Sequence, residues 1–211
     1  MIGEPSALHV FKFVYCGPVR SGKSANLRAL DRLVARSGAR GLVEIPGPGK
    51  ASIFPEFLHF SLKLAPDSSL RLHLLAVSGK RSLREIQRLA LKGLDGVVFV
   101  VDSRRSESVQ AQRSFQQLLE DLQSLEVDLS QLPLIIQFNK RDLPDVRSDE
   151  EIDELAAMGR EPVFKSIASR GIGVLDTLLA MTELAWQRRG LPEGVSQMQS
   201  LRQQLTSGIR A

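Results

Sequence analysis

A single cysteine, a single tryptophan and a single tyrosine stand in a chain of 211 residues. One cysteine excludes an internal disulfide, and the place of Cys16 in an apolar run points to a buried, inert thiol. Histidine is nearly as scarce. His9, His59 and His73 are scattered over strand-like segments without ligand spacing, which argues against a zinc site or an imidazole acid–base pair. No apolar run approaches the roughly 20 residues that cross a bilayer. The start MIGEPSALHV lacks the basic head and long apolar core of a secretory signal, and the end GIRA carries no prenylation motif. A cytoplasmic location is the expectation. A strong excess of one charge is missing too: 28 basic against 24 acidic residues leave +4. That permits nucleic acid or an acidic partner without requiring either. With no aromatic interleaving and no DNA-reading motif, no specific nucleic acid is expected.

What is present fits one generous domain, with 43% apolar and 25% charged residues. Short apolar runs alternate with helical patterns. Val10–Tyr15, Val97–Val101 and Leu134–Phe138 read as strands, the last two as central parallel ones. Residues 53–64 and 70–77 read as two strands joined by a turn. Helical periodicity follows at Leu27, Leu30 and Val34, over 81–92, from Ala111 to Leu125, and after Gly173. Ser148 and Glu151 form a capping box for a helix through about Met158. This predicts an α/β fold with a mostly parallel central sheet flanked by helices. Residues 1–190 form the expected domain. Residues 191–211 form an extension, either a frayed tail or a short helix with Val195, Met198, Leu201 and Leu205 on one face.

The stretch GPVRSGKS, residues 17–24, fills the pattern G-x-x-x-x-G-K-[ST] between a predicted strand and a predicted helix, the context that identifies a phosphate-binding loop. The backbone from Gly17 through Val19, Arg20, Ser21 and Gly22 to Ala25 would cradle phosphate oxygens. Lys23 would neutralise the β- and γ-phosphates, and the Ser24 hydroxyl would ligate Mg²⁺. The strand ending at Phe138 runs into Asn139-Lys140-Arg141-Asp142, the N-K-x-D pattern. Asp142 can accept hydrogen bonds from N1–H and the exocyclic amine of guanine, which adenine does not offer in that arrangement. The Lys140 stem would lie along the base, and Asn139 would tie this loop to the phosphate loop. A P-loop ATPase, with ATP bound more tightly than GTP, is the competing reading.

Together these residues resemble the Ras-like small GTPases, and among them the MglA-type gliding-motility GTPases. The resemblance covers roughly residues 9–188, most specifically in GPVRSGKSANL, SIFPEFL, DGVVFVVDS and QLPLIIQFNKRDLP. It implies the P-loop NTPase fold and a GTP/GDP switch with Mg²⁺, acting in cell polarity or gliding motility. It also implies a Roadblock-type, MglB-like regulator. By the same resemblance, Ala168 and Ser169 stand where a backbone N–H meets the guanine carbonyl. Gly79 closes a D-x-x-G motif that here reads Ala76-Val77-Ser78-Gly79, and Ser52 is the switch I hydroxyl for Mg²⁺ or the γ-phosphate.

The catalytic positions depart from that pattern. Ala51 replaces an arginine, Lys80 replaces the glutamine that orients water, and Val19 replaces a glycine beside the γ-phosphate. An arginine finger is worth roughly 10³–10⁵ in rate. Lysine has donors but no acceptor with which to orient water. Slow intrinsic GTP hydrolysis is expected; the alternative is a pseudo-GTPase that holds nucleotide structurally and serves as a scaffold. With Ala76 in place of the aspartate, Glu56 is the substitute that the relatives suggest, and a solvent-facing strand residue is the other reading. Arg28, Arg32 and Arg36, and Arg81, Arg84, Arg88 and Lys92, form two basic stripes, read either as solvated faces or as a surface for an acidic partner or anionic membrane. Asp102 either caps the next helix or binds nearby loop backbone. Arg20 lies either on the outer face of the loop or beside the phosphates.

Overall fold

A computed structural model describes residues 7–35, 42–43, 56–65, 68–191 and 194–207. Ala51, Ser52 and Arg36 lie outside them. Among the described residues seven strands form one sheet in the order β2-β3-β4-β1-β5-β6-β7. They are β1 (Ala7–Cys16), β2 (Leu42–Val43), β3 (Glu56–Ala65), β4 (Ser68–Ala76), β5 (Gly96–Asp102), β6 (Leu134–Asn139) and β7 (Val163–Lys165). β2–β3 and β3–β4 pair antiparallel; β4–β1–β5–β6–β7 pair parallel. The helices are α1 (Lys23–Ala35), α2 (Arg84–Leu91), α3 (Ser108–Ser124), α4 (Asp149–Met158), α5 (Val174–Arg188) and α6 (Gly194–Ser207).

The residue pattern explains the layering. Every residue of β5 is buried, because a central parallel strand is covered on both faces and has no polar side to offer. β3 instead alternates, with Glu56, Leu58, Phe60 and Leu62 buried. On one face α1, α5 and α6 pack Leu27, Leu178, Trp186 and Leu201 against Phe11, Phe13 and Phe60. On the other, α2, α3 and α4 pack Leu91, Leu118, Leu122 and Ile152 against Val14, Val97 and Phe99. Among the described residues no helix is long and apolar enough to cross a membrane. The capping box of α4 is present, with Glu151 N–H donating to Ser148 Oγ at 3.2 Å and Ser148 N–H to Glu151 Oε2 at 2.7 Å.

The sheet grows from β1 in both directions, towards β4 on one side and β5 on the other. The carboxyl end of β1 is therefore a topological switch point, where open α/β sheets bind ligands. The loops after β1, β5, β6 and β7 all leave that same edge.

Candidate nucleotide-binding site

Residues 17–22 join β1 to α1, and their backbone turns inward. Gly22 has φ +108°, and a Cβ there would lie 1.9 Å from Asn139 Nδ2, so only glycine fits. Lys23 Nζ donates to Gly17 O (2.9 Å), Pro18 O (2.5 Å) and Ser21 Oγ (3.4 Å). The lysine is 6% exposed. Burial lowers its pKa to about 8, although the nearby Glu56 carboxylate acts to raise it. Ser24 and Ala25 are half-buried. Burial pushes the Cys16 thiol up to about 12, consistent with an inert core residue. Arg20 is exposed and holds φ +64°.

Segment 76–80 leans on this loop. Val77 N–H donates to Tyr15 O (3.2 Å). A Cβ on Gly79 would sit 2.6 Å from Gly17 O and Val19 N, so the absence of a side chain lets the two backbones touch. Val19 is half-buried beside that contact and Lys80 is exposed. Gln87 of α2 donates to Ser78 O, and to Lys80 O at 3.1 Å, pinning the segment from outside.

Asn139, at the end of β6, joins three loops. Its Nδ2 donates to Ser21 O (2.9 Å), and its Oδ1 accepts from Ala168 N–H (2.9 Å) and Ser166 Oγ–H (3.1 Å). The Ala168 N–H is thus engaged by Asn139, while Ser169 is exposed in the short turn Ala168–Arg170. Lys140 adopts φ +65° and sends Nζ to Asp102 Oδ2 (2.6 Å). Arg104 binds the same carboxylate through Nε (3.1 Å) and Nη2 (2.7 Å). Burial pushes Asp102 up, but the hydrogen bonds from Arg104 and Lys140 outweigh it and bring the group down to about 2. Asp102 is therefore an anchor for Lys140, besides accepting the Arg104 N–H of its own loop (3.2 Å). The Asp142 side chain is 24% exposed, with Arg170 3.8 Å away. That distance is long for an ion pair and leaves the carboxylate open to better donors.

Two features were not read from the residues, and a third, left between two readings, is resolved. A buried polar triad joins α1, β6 and α5: Asn26 and Gln137 exchange two amide hydrogen bonds (2.8 and 3.0 Å), and Gln137 Nε2 also donates to Thr177 Oγ1 (2.9 Å). Asn26 Nδ2 further donates to Gly22 O (3.1 Å). The one signal was a glutamine inside the apolar run LIIQF. Arg84 binds the buried Asp121 carboxylate through Nε (3.0 Å) and Nη2 (2.7 Å), and Arg88 binds Ser124 Oγ (3.0 Å). Two members of the second basic stripe, Arg84 and Arg88, thus fasten α2 to α3. Finally, Glu56 is not a solvent-facing strand residue. It is 5% exposed and lies opposite Ala76 in the β3–β4 register. Its Oε1 is 3.4 Å from Arg28 Nη2 and its buried Oε2 has no hydrogen-bond partner among the described residues. β-strand alternation alone did not say which face was covered.

A phosphate loop at the switch point of a parallel sheet, with an N-K-x-D turn bonded to it, defines a P-loop protein of the Ras-like guanine-nucleotide-binding class. Comparison with known proteins narrows this. Residues 51–201 match the model of the ADP-ribosylation factor family. The chain is 34% identical over 173 residues to the mutual gliding-motility protein MglA of Myxococcus xanthus (strain DK1622), covering 82% of this chain and 89% of that protein. It is 31% identical over 113 residues to the GTPase Obg of Caldicellulosiruptor bescii, of which it spans 25%. It is 30% identical over 125 residues to the ADP-ribosylation factor-like protein 2 of Drosophila melanogaster, covering 54% of this chain and 66% of that protein. The chain belongs to the ADP-ribosylation factor family of small GTPases and is of the MglA type. Membership of that family implies binding of GTP and GDP and makes the protein a GTP-binding switch.

Proposed function

We propose that this protein is a guanine-nucleotide switch of cell polarity or gliding motility, acting in the cytoplasm, whose own hydrolysis of GTP is slow and whose turnover depends on a Roadblock-type, MglB-like regulator. One observation carries the reading. The loop end that would hold phosphates and the turn that would hold guanine are one hydrogen-bonded unit through Asn139, while Val19 and Lys80 stand where water is activated in relatives. The phosphate-loop and N-K-x-D motifs are kept, while the hydrolytic positions are replaced.

In this reading Asp142 accepts the guanine N1–H and amine, and Lys140, held by Asp102, lies along the base. The backbone of Gly17 through Ala25 and Lys23 surround the phosphates. Ala168 and Ser169 offer backbone N–H groups to the guanine carbonyl, Ala168 by sharing the hydrogen it gives Asn139. Gly79 brings its own N–H to the γ-phosphate. Bound Mg²⁺ would neutralise phosphate charge. Ser24 and Ser52 would hold it by their hydroxyls. Glu56 fits the same group: a buried carboxylate oxygen without a partner among the described residues calls for a cation or an ordered donor. Lys80, with donors only, would pair with the γ-phosphate and hold segment 76–80 closed.

Single-turnover hydrolysis of GTP tests this, with and without the regulator. We expect slow turnover alone. In the double variant Val19→Gly with Lys80→Gln, turnover is expected to rise by one order of magnitude or more, about 1.4 kcal/mol off the barrier. Rapid turnover by the unmodified protein alone would overturn the reading. No turnover under any condition, with GTP retained, would make the protein a nucleotide-holding scaffold instead.

A further inference from the structure

The Glu56 carboxylate is buried, yet among the described residues its one charged partner within bonding range is the half-exposed Arg28, 3.4 Å away. The nearby ammonium of Lys23 is engaged by Gly17 O, Pro18 O and Ser21 Oγ. A buried carboxylate without a compensating cation is strongly disfavoured. Arg28 is the cation that faces it. Arg28 stands one helical turn after Ser24 on α1, so the two share a face. Side chains on a helix tilt towards its N-terminus, and the guanidinium therefore reaches back to the end of α1 that carries Lys23 and Ser24.

We propose that Arg28 is an internal competitor of Mg²⁺ for Glu56: it holds the carboxylate when the metal is absent and opposes the metal when it binds. The inference rests on Glu56 serving the metal site, as proposed above. Two cations that use one carboxylate weaken each other reciprocally. Arg28 thereby stabilises the metal-free protein, lowers the affinity for Mg²⁺, and raises the fraction of GDP-bound molecules that lack metal. Those molecules lose nucleotide fastest, because the phosphates have lost a counter-charge. Arg28 is then a device that speeds nucleotide release in a switch that seldom turns itself off by hydrolysis.

The test is release of a fluorescent GDP analogue as a function of free Mg²⁺, with the melting temperature of metal-free protein as a second readout. Arg28→Met keeps the stem and removes the charge. It is expected to lower the Mg²⁺ concentration for half-maximal retention roughly five- to tenfold, slow release at limiting Mg²⁺, and leave release in EDTA unchanged. It should also lower the melting temperature of the metal-free protein, with recovery on adding Mg²⁺. Arg28→Lys keeps the charge and should behave like the parent. In a Glu56→Gln background, which should itself raise the Mg²⁺ requirement, Arg28→Met should change nothing further. An unchanged or higher Mg²⁺ requirement in Arg28→Met overturns the role of Arg28 while Glu56 keeps its assignment, provided Glu56→Gln weakens the metal. A wild-type Mg²⁺ requirement in Glu56→Gln removes the Glu56 reading itself, and the competitor with it.

Discussion

At Lys23 burial and chemistry pull in opposite directions. The ammonium sits among loop carbonyls, almost without solvent, and burial brings its pKa from 10.5 to about 8. Because the folded value lies below the unfolded one, the unfolded chain binds more protons between about pH 8 and 10.5. Stability of the nucleotide-free protein is therefore expected to rise with pH across that window. Nucleotide binding reverses the sign, since phosphate oxygens require the charged lysine. Affinity for GDP should fall as pH rises above about 8, by up to about tenfold per pH unit. Calorimetry at pH 8.5 in buffers of different ionisation enthalpy should show proton uptake on binding; no uptake would mean the lysine is already charged in the empty loop. Lys23 itself was legible from GPVRSGKS, because the loop pattern is local. Its depressed pKa was not, since that depends on the burial that the surrounding fold imposes and on Glu56, 33 positions away.

Among the elements, α1 is the one on which the site hangs, and Gln137 is what holds its first turn. Gln137 is fully buried in β6 and joins Asn26 of α1 to Thr177 of α5. Gln137→Leu would leave Asn26 and Thr177 short of partners, at about 1–3 kcal/mol for each orphaned buried group. Chemical denaturation should show that loss, and nucleotide affinity should weaken with it, because Asn26 also holds Gly22 O. A stability unchanged within about 0.5 kcal/mol would show that the triad is incidental. The strands and most helices could be read from apolar periodicity. The pairing of residues 111 positions apart could not, because no local pattern records which buried amide meets which. The fastening of α2 was hidden for the same reason: Arg84 and Arg88 look like a solvated stripe until Asp121 and Ser124 of α3 are brought beside them.

The whole molecule is closed at its end by α6. Met198, Leu201 and Leu205 enter the core that α1 and α5 form on the sheet. Arg202 pairs with Asp176 (2.7 Å) and Gln204 Nε2 donates to Lys63 O (2.6 Å). Leu201 is 1% exposed, so Leu201→Ala is expected to cost about 2–5 kcal/mol, measured by denaturation; a surface-like effect below about 0.5 kcal/mol would show that the helix is merely laid on. The family model extends to residue 201, into this helix.

What the sequence determined by itself is the class of the protein and the place of its chemistry. Phosphate and guanine recognition use short, contiguous motifs whose residue types and order are dictated by hydrogen-bond geometry, and these survive as letters. The tertiary structure decided what those motifs are bonded to: that Asn139 clasps Ser21 and Ala168, that Asp102 holds Lys140, and that Glu56 turns inward to Arg28 with one oxygen bare. Those facts depend on which face of each strand the helices cover, and burial on folding, not residue type, sets the energy of a charge.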